Sequence, residues 1–208
     1  MSNRLLSAFE LVPIHSHVID VGADHGLFSL FLSQHGHKVL AIENKSGPYQ
    51  TLLKATKDDD NIHCVMADGL DYLENDIDCC CILGMGGITI KEILEKNRDK
   101  LSQFETIIIS PQSMFHLPIC FLEENGFRND DGKYIYEKKY YPILRFVKGN
   151  CDLDDLRRKY GPVMVDRKDP LLLEMLEKEK ERLRLFSSYE ESKCKLELLE
   201  KEIKEIFQ

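Results

Sequence analysis

The chain has 208 residues, 43% hydrophobic and 31% charged, enough for one globular domain with a modest appendage, since domains run to about 100–200 residues. Its formal charge of -8 excludes a protein whose main property is a global basic field, so a nucleic-acid partner has to be met by a local patch of Lys and Arg. Seven cysteines, an odd number with no C-x-x-C pair and with Cys79, Cys80 and Cys81 contiguous, argue for a reducing compartment and against a disulfide framework or a metal; the polar N-terminus and the lack of an apolar run near ~18 residues predict a cytoplasmic protein with no membrane span.

Short Val- and Ile-rich runs alternate with helical patterns, the signature of βαβ units around a mostly parallel sheet. A helix is predicted over residues 3–12, stopped by Pro13, then a strand over 17–22, an apolar helix over 26–35 closed by Gly36, and a strand over 38–43. A helix over 47–57 leads through the acidic turn Asp58, Asp59, Asp60 to strands over 62–67 and 77–83, where the cysteines read as core. After the glycines of 84–87 come a helix to residue 100, a strand over 105–110 and a helix to 125. Two late strands, 133–139 and 142–148, leave no room for a helix between them, and a parallel crossover needs about a dozen residues or more, so the sheet ends antiparallel.

From Cys151 the chain turns charged and leucine-rich. Asp169-Pro170 supplies an N-cap and a Pro at the first helical position, and Leu172, Leu176 and Leu183 mark one stripe. Ser187 and Ser188 interrupt it, Ser188 with Glu191 fits a capping box, and Leu196, Leu199, Ile203 and Ile206 follow a heptad-like spacing. Two antiparallel helices are expected, with a single long dimerising helix as the alternative; the division is a domain over 1–150 and a helical extension over 151–208.

The chemistry gathers at strand ends. The first strand runs into Asp20-Val21-Gly22-Ala23-Asp24-His25-Gly26, a G-x-x-x-G turn where a dinucleotide fold wants G-x-G-x-x-G, and Asp24 stands where a carboxylate repels phosphate. S-adenosylmethionine has no phosphate and carries a sulfonium and an ammonium, so an acidic loop suits it; the plainer reading of Asp20 and Asp24 is helix capping. Glu43 ends the second strand where an acid accepts hydrogen bonds from ribose hydroxyls, and Asp68-Gly69 ends the third, either as a contact for an adenine amino group or as a simple turn. Gly84-Met85-Gly86-Gly87 follows the fourth strand, giving backbone freedom for close approach of a flat substrate or for a strand-to-helix turn.

These residues resemble the bacterial tRNA (adenine-22-N1)-methyltransferases. The likeness rests on Arg4-Leu5, the Asp20 to His25 run, Glu43 followed by Gly47-Pro48-Tyr49-Gln50, Asp68-Gly69-Leu70, Gly84-Met85-Gly86-Gly87 and Tyr160-Gly161-Pro162, and it spans residues 3–185. The family usually has Ser where this chain has Ala23, and Gln-Pro-Asn where it has Ser110-Pro111-Gln112. The resemblance implies an α/β fold, a Rossmann-like class I methyltransferase sheet, mostly parallel with an antiparallel end, and a C-terminal α-helical, coiled-coil-like extension.

It implies S-adenosyl-L-methionine as cofactor, S-adenosyl-L-homocysteine as product, tRNA as partner, and a monomer or weak homodimer. Asp20, Gly22, Asp24, His25, Glu43, Asp68, Gly69, Gly84 and Gly86 are the expected cofactor-binding residues, and Asp24, Met85 and Gln112 the expected catalytic ones. Methylation of neutral N1 makes the adenine cationic; Asp24 is placed either beside that cation or on the methionine ammonium, with His25 and Gln112 as secondary contacts. Candidate RNA-gripping patches are Arg157, Arg158, Lys159, Arg167 and Lys168, and Lys133, Lys138, Lys139, Arg145 and Lys148, each equally readable as a solvated face. A small-molecule or protein methyltransferase, a non-catalytic cofactor-binding protein and, more remotely, a nicotinamide oxidoreductase are the competing readings.

Overall fold

In the computed structural model, which describes residues 2–186 and 189–208, the first strands are buried along nearly their whole length. That holds for β1 (His17–Val21), β2 (Lys38–Glu43), β4 (Cys79–Leu83) and β5 (Thr106–Ser110), the pattern of parallel strands covered on both faces. Side chains alternate between two apolar layers: Cys79 and Cys81 join Val18, Ala41 and Ile108, while Cys80 joins Ile19, Ile82 and Ile107. The contiguous cysteines are therefore one period-2 strand with a small side chain on each face. Burial pushes the Cys80 and Cys81 thiols well above their ordinary range, so they stay protonated.

With β3 (Ile62–Met66), β6 (Phe127–Glu137) and β7 (Lys139–Lys148), the seven-stranded sheet has the order β3-β2-β1-β4-β5-β7-β6. The first five strands are parallel, and β7 runs antiparallel to both β5 and β6. The chain winds outward from β1 to β3 and then crosses to the other side of β1 to lay down β4. The strand order thus reverses between β1 and β4, and a crevice opens beyond their carboxyl ends. Helices α1 (Asn3–Phe9), α2 (Leu27–Gln34) and α3 (Ser46–Thr56) supply Ala8, Phe28, Leu32 and Leu52 to one layer. Helices α4 (Gly87–Lys96) and α5 (His116–Glu124) supply Ile90, Leu94, Ile119 and Leu122 to the other. The fourth helix stops before the expected residue 100, because Asn97 turns its amide back onto the Ile93 carbonyl at 3.1 Å and a 3-10 turn, Arg98–Gln103, takes over.

The late hairpin is longer than the expected strands over 133–139 and 142–148. The polar run at 128–132 reads as a turn, yet it pairs with β7 through a bulge between Asn129 and Asp131. Long-range polar contacts hold it: the Arg145 guanidinium grips Asp130 with Nε and Nη2, both at 3.0 Å. The Asn129 amide donates to the Asp131 and Arg145 carbonyls at 2.8 Å each and accepts from the Val163 N–H at 3.1 Å. The strands reverse at Lys138, a non-glycine residue with φ 62°.

Two short helices that the sequence pattern does not announce follow, α6 (Asp155–Tyr160) and α7 (Pro162–Asp166). Asp169 caps α8 (Pro170–Leu185) as the Asp-Pro pair predicts, accepting from the Leu171 and Leu172 N–H groups, and its other oxygen takes the Tyr134 N–H of β6 at 3.1 Å. α8 and α9 (Glu190–Phe207) fold back on each other, as preferred over a single long helix, with Leu172, Leu176, Leu183, Leu199, Ile203 and Ile206 inside and Arg184 paired to Glu200 at 2.7 Å. Ser187 and Ser188, expected to interrupt the stripe, and with them the capping box expected of Ser188 with Glu191, lie outside the described residues. The extension shares the core of the sheet: Leu153, Tyr160 and Met164 belong to the same apolar layer as Ile19 and Ile82. Buried Glu202 fastens α9 to α6, accepting from Lys159 Nζ at 2.7 Å and from the Tyr160 hydroxyl at 2.6 Å.

Candidate active site

The crevice is built from three acidic strand ends and two knitted loops. After β1 the chain turns at Gly22, φ 77°, and the Gly22 and Ala23 N–H groups both donate to the Ile42 carbonyl, at 2.8 and 2.9 Å, drawing the loop over β2. A β-carbon on Gly22 would lie 2.3 Å from Met85 Cε, the mobile end of a side chain that can swing aside, so it is the φ of 77° that calls for glycine. Asp24 takes φ 50°, a left-handed conformation that Asp tolerates, and its N–H donates to Glu43 Oε2 at 3.2 Å. Its carboxylate is 65% exposed and lies 3.2 Å from His25 Nδ1.

Glu43 also accepts from the Lys45 N–H at 2.9 Å and is only 7% exposed. Each carboxylate oxygen has two acceptor positions, so both oxygens keep one for a hydroxyl donor. Asp20, 3% exposed, accepts a 2.6 Å hydrogen bond from Ser29 Oγ. Burial pushes its carboxyl up to about 6; the Ser29 hydrogen bond opposes that rise and the negative charge of Glu43 adds to it. At the end of β3, Asp68 accepts from Asn44 Nδ2 and from Lys96 Nζ, each at 3.2 Å, and Lys96 also reaches Asp71 at 2.8 Å. The hydrogen bonds to Asp71 and Asp68 hold the Lys96 ammonium above its ordinary value.

On the other side of the crevice, the loop after β4 and the loop after β5 are joined by main-chain bonds: Gly84 N–H to Ser110 O at 3.2 Å, Gln112 N–H to Met85 O at 2.8 Å, and Gly87 N–H to Ser113 O at 2.8 Å. The enclosed cavity measures about 920 Å³. That is near the upper end of small-molecule sites, ~300–1,000 Å³, and leaves space for a second reactant.

Of the residues expected from sequence, Asp20, Gly22, Asp24, His25, Glu43, Asp68, Gly69, Gly84, Met85 and Gln112 all line this cavity. Gly86 does not; it caps α4 beside Ser113 Oγ. Thr89, Ile93 and Lys96 also line it, and their i, i+4, i+7 spacing on α4 was a legible signal of one helix face turned to the site. Arg4, given no role by the sequence pattern, lines it as well. The candidate RNA-gripping patches are largely neutralised within the chain: Arg157 pairs with Asp154 and Asp166, Arg158 with Glu123, Arg167 with Asp131, Lys133 with Glu10, and Lys148 with Glu105. Among the described residues, His17, Glu74 and Asp76 converge closely enough to ligate a metal, at the amino end of β1 and away from the cavity; His17 Nδ1 lies 3.0 Å from Asp76.

A doubly wound sheet with an antiparallel seventh strand, an acidic glycine turn after β1 and carboxylates ending β2 and β3 defines the Rossmann-like methyltransferase class. The chain belongs to the methyltransferase-domain family, whose model matches residues 1–144. It is 26% identical over 159 residues to the tRNA (adenine(22)-N(1))-methyltransferase of Bacillus subtilis, covering 73% of this chain and 67% of that protein. It is 32% identical over 166 residues to a Mycoplasma pneumoniae protein provisionally named a tRNA methyltransferase, covering 74% of this chain and 75% of that one. A Streptococcus pneumoniae structure, provisionally described as a tRNA (m1A22) methyltransferase and solved in complex with S-adenosyl-L-methionine, superposes over the full length of both chains with a TM-score of 0.88 at 28% identity.

Proposed function

We propose that the protein methylates N1 of adenosine 22 in tRNA, with S-adenosyl-L-methionine as methyl donor and S-adenosyl-L-homocysteine as product. The observation that carries the reading is the convergence of Asp20, Asp24, Glu43 and Asp68 on one cavity together with the knitted Gly84–Gln112 wall, in a chain whose relatives act on tRNA. The residues fit the cofactor. Glu43 keeps an acceptor position on each oxygen for two ribose hydroxyls, Asp68 and Asn44 offer a polar edge at the next strand end, and the buried negative charge of Asp20 suits a cation. When bound, S-adenosyl-L-methionine supplies an electrophilic methyl group.

Neutral adenine carries a lone pair and no proton at N1, so no general base is needed. The protein has to position the base and to stabilise the positive charge that the ring acquires. The exposed Asp24 carboxylate is the acid placed to do so, with His25 beside it and the Gln112 amide across the cavity. A Watson–Crick edge is hidden in a helix, so the target base has to leave its stack to reach this wall. A monomer or a weak homodimer fits this reading; the heptad side chains of α9 pack against α8 within the chain and so do not form a seam between copies.

The test is nucleoside mass spectrometry of unmodified tRNA incubated with the protein and S-adenosyl-L-methionine. N1-methyladenosine mapping to position 22 is expected, and Asp24→Asn, which tolerates the left-handed backbone, is expected to retain the fold and lose transfer. Cofactor binding without any methylated nucleoside would overturn the reading.

A further inference from the structure

Most cations of this protein are held by carboxylates; Arg4 is not. It stands in the first turn of α1 and lines the cavity beside Gly84 and Gln112. Its Nη2 lies 3.5 Å from the point where a β-carbon on Gly84 would sit, and Gln112 Nε2 lies 3.7 Å from the same point. Two donors, one charged and one neutral, therefore flank one spot above Gly84. The Arg4 Nε is buried without a hydrogen-bond partner, and among the described residues no carboxylate pairs with the guanidinium. The nearby Glu137 carboxylate accepts the Arg4 backbone N–H, at 3.2 Å. The Tyr141 ring, its centroid 5.3 Å from Cζ, backs the guanidinium plane and fixes its direction.

A guanidinium with a buried, unpaired N–H loses hydration without compensation, which a protein sustains where a ligand restores the partner. The reacting centres do not restore it: the sulfonium of the donor is cationic and the adenine becomes so on transfer, and each repels a positive charge. The reactants bring two anions: the methionine carboxylate of the donor, which shares its carbon with the ammonium that the acids of the β1 turn attract, and the phosphodiester of the RNA, which arrives with the base at the Gly84–Gln112 wall where Arg4 stands. A planar fork of N–H donors matches two phosphate oxygens. We infer that Arg4, with Gln112 Nε2 alongside, forms a phosphate subsite that grips the RNA backbone next to the methylated nucleotide. This rests on the tRNA reading above. It assigns the anchoring of the displaced nucleotide to one half-buried cation inside the cavity, while the surface patches are largely neutralised.

The experiment compares wild type, Arg4→Gln and Arg4→Lys on tRNA assembled with either natural phosphates or a neutral methylphosphonate at one of the two linkages flanking adenosine 22. Methylation kinetics and RNA affinity by fluorescence anisotropy are both recorded. Arg4→Gln is expected to lower kcat/KM by roughly ten- to a hundredfold, the size of a hydrogen bond to a charged group. Cofactor affinity by calorimetry should be unchanged, a loss there assigning Arg4 to the methionine carboxylate and overturning the subsite, and Arg4→Lys, a point charge without the fork, should fall between. One methylphosphonate should impose the same loss on wild type and almost none on Arg4→Gln. Losses that multiply in the combined case, or full kcat/KM and RNA affinity in Arg4→Gln, would overturn the subsite. If wild type binds the RNA but makes no N1-methyladenosine, the tRNA N1 reading fails, and the subsite is decided by whether the methylphosphonate and Arg4→Gln losses in affinity coincide. Absence of RNA binding by wild type would overturn both.

Discussion

Replacing Asp20 by Asn is expected to make the ligand-free protein more stable and its cofactor affinity weaker. Asp20 is 3% exposed, and burial raises its carboxyl from an ordinary 3.8 to about 6. A carboxyl that holds its proton more tightly in the fold than in the unfolded chain favours folding fully below the unfolded value. That contribution is lost as the pH rises through the folded value. At pH 7 the ionised group costs the fold about 3 kcal/mol, an order-of-magnitude figure from that displacement. Asn keeps an oxygen for the 2.6 Å bond from Ser29 Oγ and carries no charge. Urea unfolding should therefore find Asp20→Asn more stable than wild type at pH 7 by up to about 3 kcal/mol, with the difference shrinking towards zero near pH 4. A cation bound against Asp20 recovers in wild type what the empty site lacks, so calorimetry should show the variant losing roughly a hundredfold in S-adenosyl-L-methionine affinity at pH 7. Wild-type affinity should itself fall as the pH drops below about 6. A variant no more stable than wild type across that range, or one binding the cofactor equally well, would refute the reasoning.

Gly22→Ala places a β-carbon 2.3 Å from Met85 Cε at φ 77°. It should cost about 1–3 kcal/mol in thermal unfolding, most of it backbone strain that adding Met85→Ala does not return. Arg145→Lys exchanges the fork on Asp130 for a point charge, and should destabilise by about 1–2 kcal/mol in urea while leaving α9 unaffected. Glu202→Ala strips the partner from the Tyr160 hydroxyl and from Lys159. A loss of about 1–3 kcal/mol follows, read most directly as faster amide exchange along α9 than along β1.

The five parallel strands were legible because their information is local: apolar runs of five or six residues, β1 to β4 closing on or within two residues of a glycine or an acid and β5 running into Pro111. The acids ending β1, β2 and β3 were legible for the same reason, since a strand end is a place in the sequence as well as in space. The start of β6 was not. Residues 128–132 are polar and turn-like, and they become strand through Arg145 and Val163, which lie far along the chain. Helices α6 and α7, six and five residues long, are too short to show a helical period. The surface cations misled in the opposite sense. Lys133 sits in a basic hairpin by composition, but its partner Glu10 is 123 residues away, and only the fold brings the two charges together. Arg4 stood inside a recognised motif, and its role became visible only when β4 and β5 laid Gly84 and Gln112 beside it.

The two loops facing the target base are stitched through main-chain N–H and C=O groups of Gly84, Met85, Ser110, Gln112, Ser113 and Gly87. Every residue except Pro can offer the same N–H, and Pro111 is not one of the donors. At the exposed positions Gln112 and Ser113 the side chains can therefore be rewritten while the path stays fixed, whereas Ser110 and Pro111 are buried and answer to packing. Gln112, where the family has Asn, is such a rewriting, and it alters what the wall presents to the cavity without re-routing β5 or α4. An enzyme built this way can drift towards a new nucleobase by point substitution, with no insertion or deletion in its loops.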